Sequence, residues 1–310
     1  MKIGVPVWGF TLPQHNPPYE DGVRRAGEMG YDAIELIVRD PGDLQSYWSG
    51  DRVARIKALC DDGGLAVAEL VLFQNMIAGL ADLDPGQKQT ALEHFRIGCD
   101  MANRFGTTLV NVVSPWPAGL RTPHPYPPNY WYINVPGIET DGYRLESKLK
   151  ITLPDNFDWP THWQNYLDSI RQITAIAKQH GLRVAVENHA NVMSPQVDSL
   201  LRLIDHIPED NLGVNLDIGW AFIQREDVPW SIHKLRDRLF NLHARDGDGL
   251  MCYRLPIGEG ILDWGAIGRA LAAIGFDGCL SVECSHQALS VEQGRDRVRR
   301  VRDLLAGQSV

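Results

Sequence analysis

Eight short runs rich in Val, Ile and Leu alternate with eight segments of helical spacing along this chain. The runs lie at residues 2–8, 33–38, 65–73, 108–114, 183–189, 212–218, 238–246 and 279–285. Little polar alternation marks their starts, the pattern of strands covered on both faces. The segments between and after them, 20–30, 51–64, 87–106, 161–181, 194–207, 227–238, 263–275 and 290–307, carry apolar residues at helical intervals. The first three end in glycine, where a helix stops by turning φ positive. Ser194-Pro195 and Asp263-Trp264 read as helix starts with an N-cap residue. Such alternation demands a parallel sheet, either open and doubly wound or closed on itself. Eight units in 310 residues favour closure as an α/β (β/α)8 TIM barrel, and no G-x-G-x-x-G follows the first run to support the open form.

One stretch breaks the rhythm. Residues 115–160 separate the fourth run from the next helical segment, far more than the few residues of an ordinary connection. This insertion is rich in proline and carries 8 of the chain's 26 aromatic residues in 46 of its 310 positions, about twice an even share. Following a strand's C-terminal end, it belongs on the barrel face where active sites lie. Its aromatics, Trp116 among them, can stack on the flat face of a bound ligand, bury against another subunit, or pack on themselves. A homo-oligomer, or a complex with a partner subunit through this insertion, is therefore expected. No internal repeat, low-complexity tract or linker divides the chain, so residues 1–310 read as a single domain.

Composition narrows the partners. A net charge of −9 argues against nucleic acid, whose phosphates demand a basic surface. Five cysteines without a C-x-x-C pair read as buried or incidental thiols in a reducing compartment. The N-terminus resembles a first strand rather than a signal peptide, and no stretch reaches the roughly 20 apolar residues of a membrane span. A cytoplasmic protein without membrane contact is the expectation.

Chemistry gathers at the strand ends. The fifth run ends with Glu187 and His189, the sixth with Asn215 and Asp217, the seventh with His243, Arg245 and Asp246, and the eighth reaches Glu283. Residues two apart share a strand face, so Glu187 and His189 point one way while Asn188 points the other. A single carboxylate at a strand end is more often a helix cap or a surface residue. Four ligand-type residues on four successive strands are another matter. If their faces point inward, Glu187, Asp217, His243 and Glu283 converge, and three carboxylates without a cation would repel one another. A divalent metal relieves that repulsion. The donor set suits Mn²⁺, the leading expectation, or Mg²⁺ or Co²⁺, with Zn²⁺ also compatible.

The pieces YDAIEL (31–36), VAVENH (184–189), GVNLDIGW (213–220), NLHARD (241–246), IGEGILDW (257–264) and LSVEC (280–284) together resemble the sugar phosphate isomerase/epimerase group of the xylose isomerase-like TIM-barrel superfamily. Each motif alone is weak; their order and spacing carry the likeness, which spans all but 115–160. The resemblance implies that Glu187, Asp217, His243 and Glu283 are metal ligands. It further implies that Glu187 and Glu283 form an acid/base pair on opposite faces of a bound sugar, with the metal holding its carbonyl and hydroxyl oxygens and stabilising an enediolate.

Two departures alter that picture. The epimerases carry a histidine three residues after the aspartate ligand, where this chain has Trp220, and an arginine six residues after the histidine ligand, where it has Gly249. His189, Arg245 or Arg254 are candidates to take over polar contacts to substrate, and His189 is also a candidate proton donor. Trp116 and Trp220 are candidate substrate contacts. The expectation is a metal-dependent isomerase or epimerase of a sugar or keto-sugar. The alternative is a lyase that makes the same carbanion and expels a leaving group, as dehydratases and the barrel subunit of C-glycoside deglycosidases do. A DNA-repair activity fits neither the charge nor the ligand count, and a non-enzymatic barrel would not fill all four ligand positions.

Overall fold

A computed structural model describes residues 1–11, 15–116, 155–190, 192–248 and 255–308. The eight expected strands are all present: β1 (Lys2–Pro6), β2 (Ala33–Val38), β3 (Ala66–Leu72), β4 (Leu109–Val113), β5 (Arg183–Glu187), β6 (Leu212–Asp217), β7 (Leu239–Ala244) and β8 (Cys279–Val282). They pair in parallel in chain order and β8 closes on β1, so the sheet is a closed barrel ringed by helices. The closed form of the alternation is the observed one. Most of the insertion expected at 115–160 lies outside the described residues, as do Gly249 and Arg254.

Helices cover the barrel by burying one stripe each. In the helix Trp159–Gln179 the buried residues Trp163, Tyr166, Leu167, Ile170, Ile173 and Ala177 recur every three or four positions. Each such aliphatic side chain contributes about 1.5–3 kcal/mol on burial. Aspartates start several helices: Asp84, Asp158, Asp227 and Asp263 each accept from a backbone N–H three residues on. Gly106, at φ 74°, ends the helix Pro85–Phe105 in a left-handed turn that favours glycine. Ser194-Pro195 is a correction. That helix begins at Val197, while Ser194 is buried, donating through its hydroxyl to Ser114 Oγ (3.0 Å) and approaching Tyr166 Oη (3.3 Å). Its side chain is committed to the core and cannot turn back to cap.

Inside the barrel, side chains stack in levels. Leu109, Ala185 and Phe240 form a small apolar cluster. Space for it comes from Gly213, where an added Cβ would fall 2.5 Å from the Phe240 ring. Above lie Glu35, Glu69, Asn111, Asn215, Asn241 and Ser281, and above these Glu187, Asp217, His243 and Glu283 toward the C-terminal end. Two register shifts shape this interior. Between β2 and β3 the register advances from Ile34↔Val67 to Leu36↔Leu70, an extra residue in β3 beside Glu69. Between β6 and β7 it advances from Val214↔Leu239 to Asn215↔Asn241, an extra residue at Phe240. Bulges of this kind re-aim side chains. Among the described residues no helix is long and apolar enough to cross a membrane. Cys60, Cys99, Cys279 and Cys284 are buried free thiols.

Candidate metal centre

All four side chains expected to converge do so, and all are at least 95% buried. His243 Nδ1 lies 3.3 Å from Glu283 Oε2, 3.4 Å from Glu187 Oε1 and 3.9 Å from Asp217 Oδ2. Glu187, Asp217 and His243 each offer one ligand atom within 4.8 Å of the others. The strand ends explain how the atoms get there. Asp217 closes β6 and starts the short helix Ile218–Ile223, its Oδ1 accepting from Trp220 N at 3.0 Å. Its Oδ2 is thereby left facing His243. Asn188 points away from the site, as its strand parity requires. Its amide clasps the end of β6, accepting from Asp217 N (2.8 Å) and donating to Asp217 O (3.0 Å).

Arg245, two residues beyond His243, enters the same cluster. Its Nε donates to Glu283 Oε2 at 2.9 Å, its Nη2 touches that same oxygen, and Nη2 lies 2.6 Å from Asp217 Oδ2. Trp8 Nε1 donates to the other Glu283 oxygen at 3.2 Å. His189 sits beside the ring of Trp220 at 4.2 Å between centroids, with Trp116 on another side at 6.2 Å. The Arg245 guanidinium lies 5.6 Å from the Trp220 ring centre. Of the expected substrate contacts, Trp116, Trp220, His189 and Arg245 therefore line one region around Glu187 and Glu283.

Reading the strand ends missed the level beneath. Glu35 and Glu69 are fully buried, one strand apart. Asn241 Nδ2 donates to Glu35 Oε1 at 2.7 Å, and Ser281 Oγ donates to the same oxygen. Asn111 Nδ2 and Asn215 Nδ2 donate to Glu69 Oε1 at 3.0 and 3.4 Å and to Glu187 Oε2 at 2.7 and 3.2 Å. His243 Nε2 approaches Glu35 Oε2 at 2.9 Å. A signal existed: AIELIV and AVAELVL each carry one carboxylate inside an otherwise apolar strand.

The electrostatics of the cluster call for more positive charge. Among the described residues, five carboxylates, Glu35, Glu69, Glu187, Asp217 and Glu283, have His243 and Arg245 as their ion-pair partners. Burial, against the pull of Arg245, pushes the Asp217 carboxyl up to about 7, with Glu283 and Glu187 adding to the rise. Burial and then Glu35 push Glu69 up to about 8. Burial also opposes ionisation of Glu283, but Arg245 and His243 outweigh it and hold its carboxyl well below the usual range. His243 is shifted upward despite its burial, chiefly by Glu35 and Glu187. His189 goes the other way: burial, partly offset by Glu187, lowers it to about 4, so its imidazole is neutral near pH 7. Neither Asp217 Oδ2 nor His243 Nδ1 makes a hydrogen bond of proper geometry, although both are buried. Both meet charged partners instead, Arg245 for Asp217 Oδ2 and the carboxylates of Glu187 and Glu283 for His243 Nδ1. Three carboxylates gathered on one imidazole fit a divalent cation, which such oxygen and imidazole ligands hold.

Asp246, the next residue along, belongs to the frame. Its carboxylate accepts from the backbone N–H of Gly247, Gly258, Gly260 and Leu262 and from Trp264 Nε1, tying the loop after β7 together. Gly260 allows this close approach, since a Cβ there would lie 2.0 Å from Asp246 Oδ1.

Comparison with known proteins agrees with this architecture. The model of the xylose isomerase-like TIM barrel family matches residues 23–303. An uncharacterized protein of Methanocaldococcus jannaschii is 29% identical over 155 residues, 46% of this chain and 52% of that protein, so the chain spans about half of that relative. Fructoselysine 3-epimerase of Escherichia coli O157:H7 is 23% identical over 294 residues, 91% of this chain and 90% of that enzyme. In fold, the crystal structure of D-psicose 3-epimerase with D-tagatose from Clostridium cellulolyticum H10 superposes with a TM-score of 0.73 at 16% identity, over 98% of this chain and 99% of that one. With sugar epimerases among its homologues and a family match over most of its length, the chain belongs to the xylose isomerase-like TIM barrel family.

Proposed function

We propose that this chain is a divalent-cation-dependent isomerase or epimerase of a sugar or keto-sugar, working by proton transfer at the carbon beside a carbonyl. The observation that carries the reading is the meeting of Glu187 and Glu283, from strands three apart round the barrel, on one imidazole nitrogen at 3.4 and 3.3 Å. Glu187, Asp217, His243 and Glu283 would hold the cation, with Mn²⁺ preferred and Mg²⁺, Co²⁺ or Zn²⁺ compatible with the same donors. Bound there, the cation would act as a Lewis acid on the substrate's carbonyl and hydroxyl oxygens and so acidify the neighbouring C–H.

The proton work falls to the chain's own carboxylates. Glu283, kept ionised by Arg245 and His243, accepts the proton from one face of the sugar. Glu187 delivers a proton to the other face, its Oε2 anchored by Asn111 and Asn215 while Oε1 stays on the site side. Trp8 and Arg245 fix the plane of the Glu283 carboxylate. Trp116 and Trp220 offer flat apolar surface for a sugar's C–H face, and His189 and Arg245 supply polar contacts.

Trp220 also favours a second reading, elimination. It fills the position of the epimerases' histidine and packs directly on His189, replacing a hydroxyl contact with an aromatic wall. The neutral His189 beside Glu187 is then placed to hydrogen-bond a departing oxygen. Incubating the Mn²⁺-loaded protein with ketoses and 3-keto-glycosides in D₂O, with products followed by NMR, separates the two. Deuterium in an intact, rearranged sugar supports isomerisation. An unsaturated sugar with released water or aglycone supports elimination. Full activity and full cation content in both Glu187→Gln and Asp217→Asn would sink the site assignment.

A further inference from the structure

We infer that Glu35 is a positioning residue that fixes the tautomer of His243, holding the proton on Nε2 so that Nδ1 presents its lone pair to the cation. The inference rests on the proposed cation site and adds a residue to it. His243 lies between two sets of carboxylates. Nδ1 faces Glu187, Asp217 and Glu283, whereas Nε2 faces Glu35 Oε2 at 2.9 Å and Glu69 Oε1 at 3.5 Å. A neutral imidazole carries one N–H, and the hydrogen bond made by one nitrogen decides which nitrogen is left to bind metal.

Three features select Glu35 as the acceptor. Its contact is within hydrogen-bond range, while that of Glu69 is longer. Glu69 Oε1 already receives the amides of Asn111 and Asn215. Glu35 Oε1 is filled by Asn241 and Ser281, which aims Oε2 at the imidazole. A rival donor exists, because Asn215 Nδ2 lies 3.0 Å from His243 Nε2. That amide has two hydrogens, and the carboxylates of Glu187 and Glu69 at 3.2 and 3.4 Å draw both. The opposite amide orientation would set Asn215 Oδ1 against two carboxylates, which is repulsive.

Glu35, Glu69 and His243 also bring ligand-type atoms within 4.8 Å of one another, as a second cation site would. Five side-chain donors already occupy both oxygens of Glu35 and one of Glu69 there. That leaves Glu69 Oε2 as the one carboxylate atom of the pair without a hydrogen bond, too few for a cation. The level is a hydrogen-bonded support for the site above it. A carboxylate behind a ligating imidazole strengthens it as a donor, and loss of such a partner costs about 10–100-fold in metal affinity.

The test is a titration of metal-free protein with Mn²⁺, followed by the EPR signal of the free ion, for wild type, Glu35→Gln and Glu69→Gln. Thermal unfolding of each metal-free protein runs alongside. Glu35→Gln is expected to bind Mn²⁺ about 10–100-fold more weakly, and Glu69→Gln to change affinity by less than about threefold. Nitrogen NMR of the histidines in Zn²⁺-loaded wild type is expected to show His243 protonated on Nε2, and this readout stands even if Glu35→Gln fails to fold. Unchanged affinity in Glu35→Gln, an equal loss in Glu69→Gln, or a proton on Nδ1 overturns the inference. If wild type itself takes up no Mn²⁺, the cation site falls and the inference with it.

Discussion

Two sets of carboxylates lie one above the other in this barrel, and they face different partners. In the lower set, Glu35 and Glu69 receive N–H and O–H groups from Asn111, Asn215, Asn241, Ser281 and His243. In the upper set, Glu187, Asp217 and Glu283 crowd round His243 Nδ1, and Asp217 Oδ2 and His243 Nδ1 make no hydrogen bond of proper geometry. Residue type and depth are similar, and both sets receive donors, but only the upper set turns three carboxylates onto one imidazole nitrogen with Arg245 among them. Buried carboxylates tied to amides and a hydroxyl build structure, and buried carboxylates gathered on one ligand-type nitrogen can hold a cation.

The comparison breaks most visibly in activity. Glu187→Gln keeps the shape of the upper set but removes a proton carrier, and turnover should fall about 10²–10⁴-fold. Metal-free stability should hold or rise, because one of the crowded negative charges is gone. Steady-state kinetics beside a thermal melt reads both. A variant that loses fold and activity together would place Glu187 with the lower set instead.

Cation addition comes next in size. A ligand at a hundred times its Kd stabilises a folded protein by about 2.7 kcal/mol, so Mn²⁺ at that level should raise the melting temperature and EDTA should reverse it. In Asp217→Asn the shift should vanish.

The lower set should answer in stability rather than chemistry. Asn241→Leu takes a donor from Glu35 and leaves a buried carboxylate oxygen with one partner fewer, a loss of about 1–3 kcal/mol. Melting of the metal-free variant measures it. A metal-free stability equal to wild type would show that the lower hydrogen bonds are as dispensable as contacts of the upper set.

Which set was legible in the sequence follows from how each is encoded. The upper set stands at strand ends, where apolar runs such as VAVENH and GVNLDI break into ligand-type residues, and parity along a strand gives the shared face. The barrel itself follows from alternation, because parallel strands covered on both sides leave few other ways to close. Glu35 and Glu69 lie inside apolar runs, and their partners Asn111, Asn215, Asn241 and Ser281 come from four other strands. Only closure of the barrel and the extra residue in β3 make them neighbours, and neither is written in local spacing. The helix starts at Val197 and not at Ser194 for a related reason. Ser194 has the chemistry of a cap, but the distant Ser114 and Tyr166 claim its hydroxyl.

Asp217 belongs to both kinds of carboxylate at once, and the smallest expected effect separates its two roles. Oδ1 caps the helix Ile218–Ile223 through Trp220 N, a structural contact, while Oδ2 faces His243 and Arg245. Asparagine caps a helix about as well as aspartate, whereas alanine loses the cap at a cost of about 0.5–2 kcal/mol. Asp217→Asn and Asp217→Ala should therefore be equally poor in Mn²⁺ binding, yet the alanine variant should unfold at lower temperature by that margin when metal-free. For a chain of this size, each kcal/mol corresponds to about 2–4 °C or somewhat less, within reach of a calorimeter. Equal melting temperatures would mean that the cap contributes nothing and that Asp217 is placed for the cation alone. A lower melting temperature in alanine with Mn²⁺ binding retained in asparagine would reverse the assignment, making the end of β6 a helix start first and a ligand second.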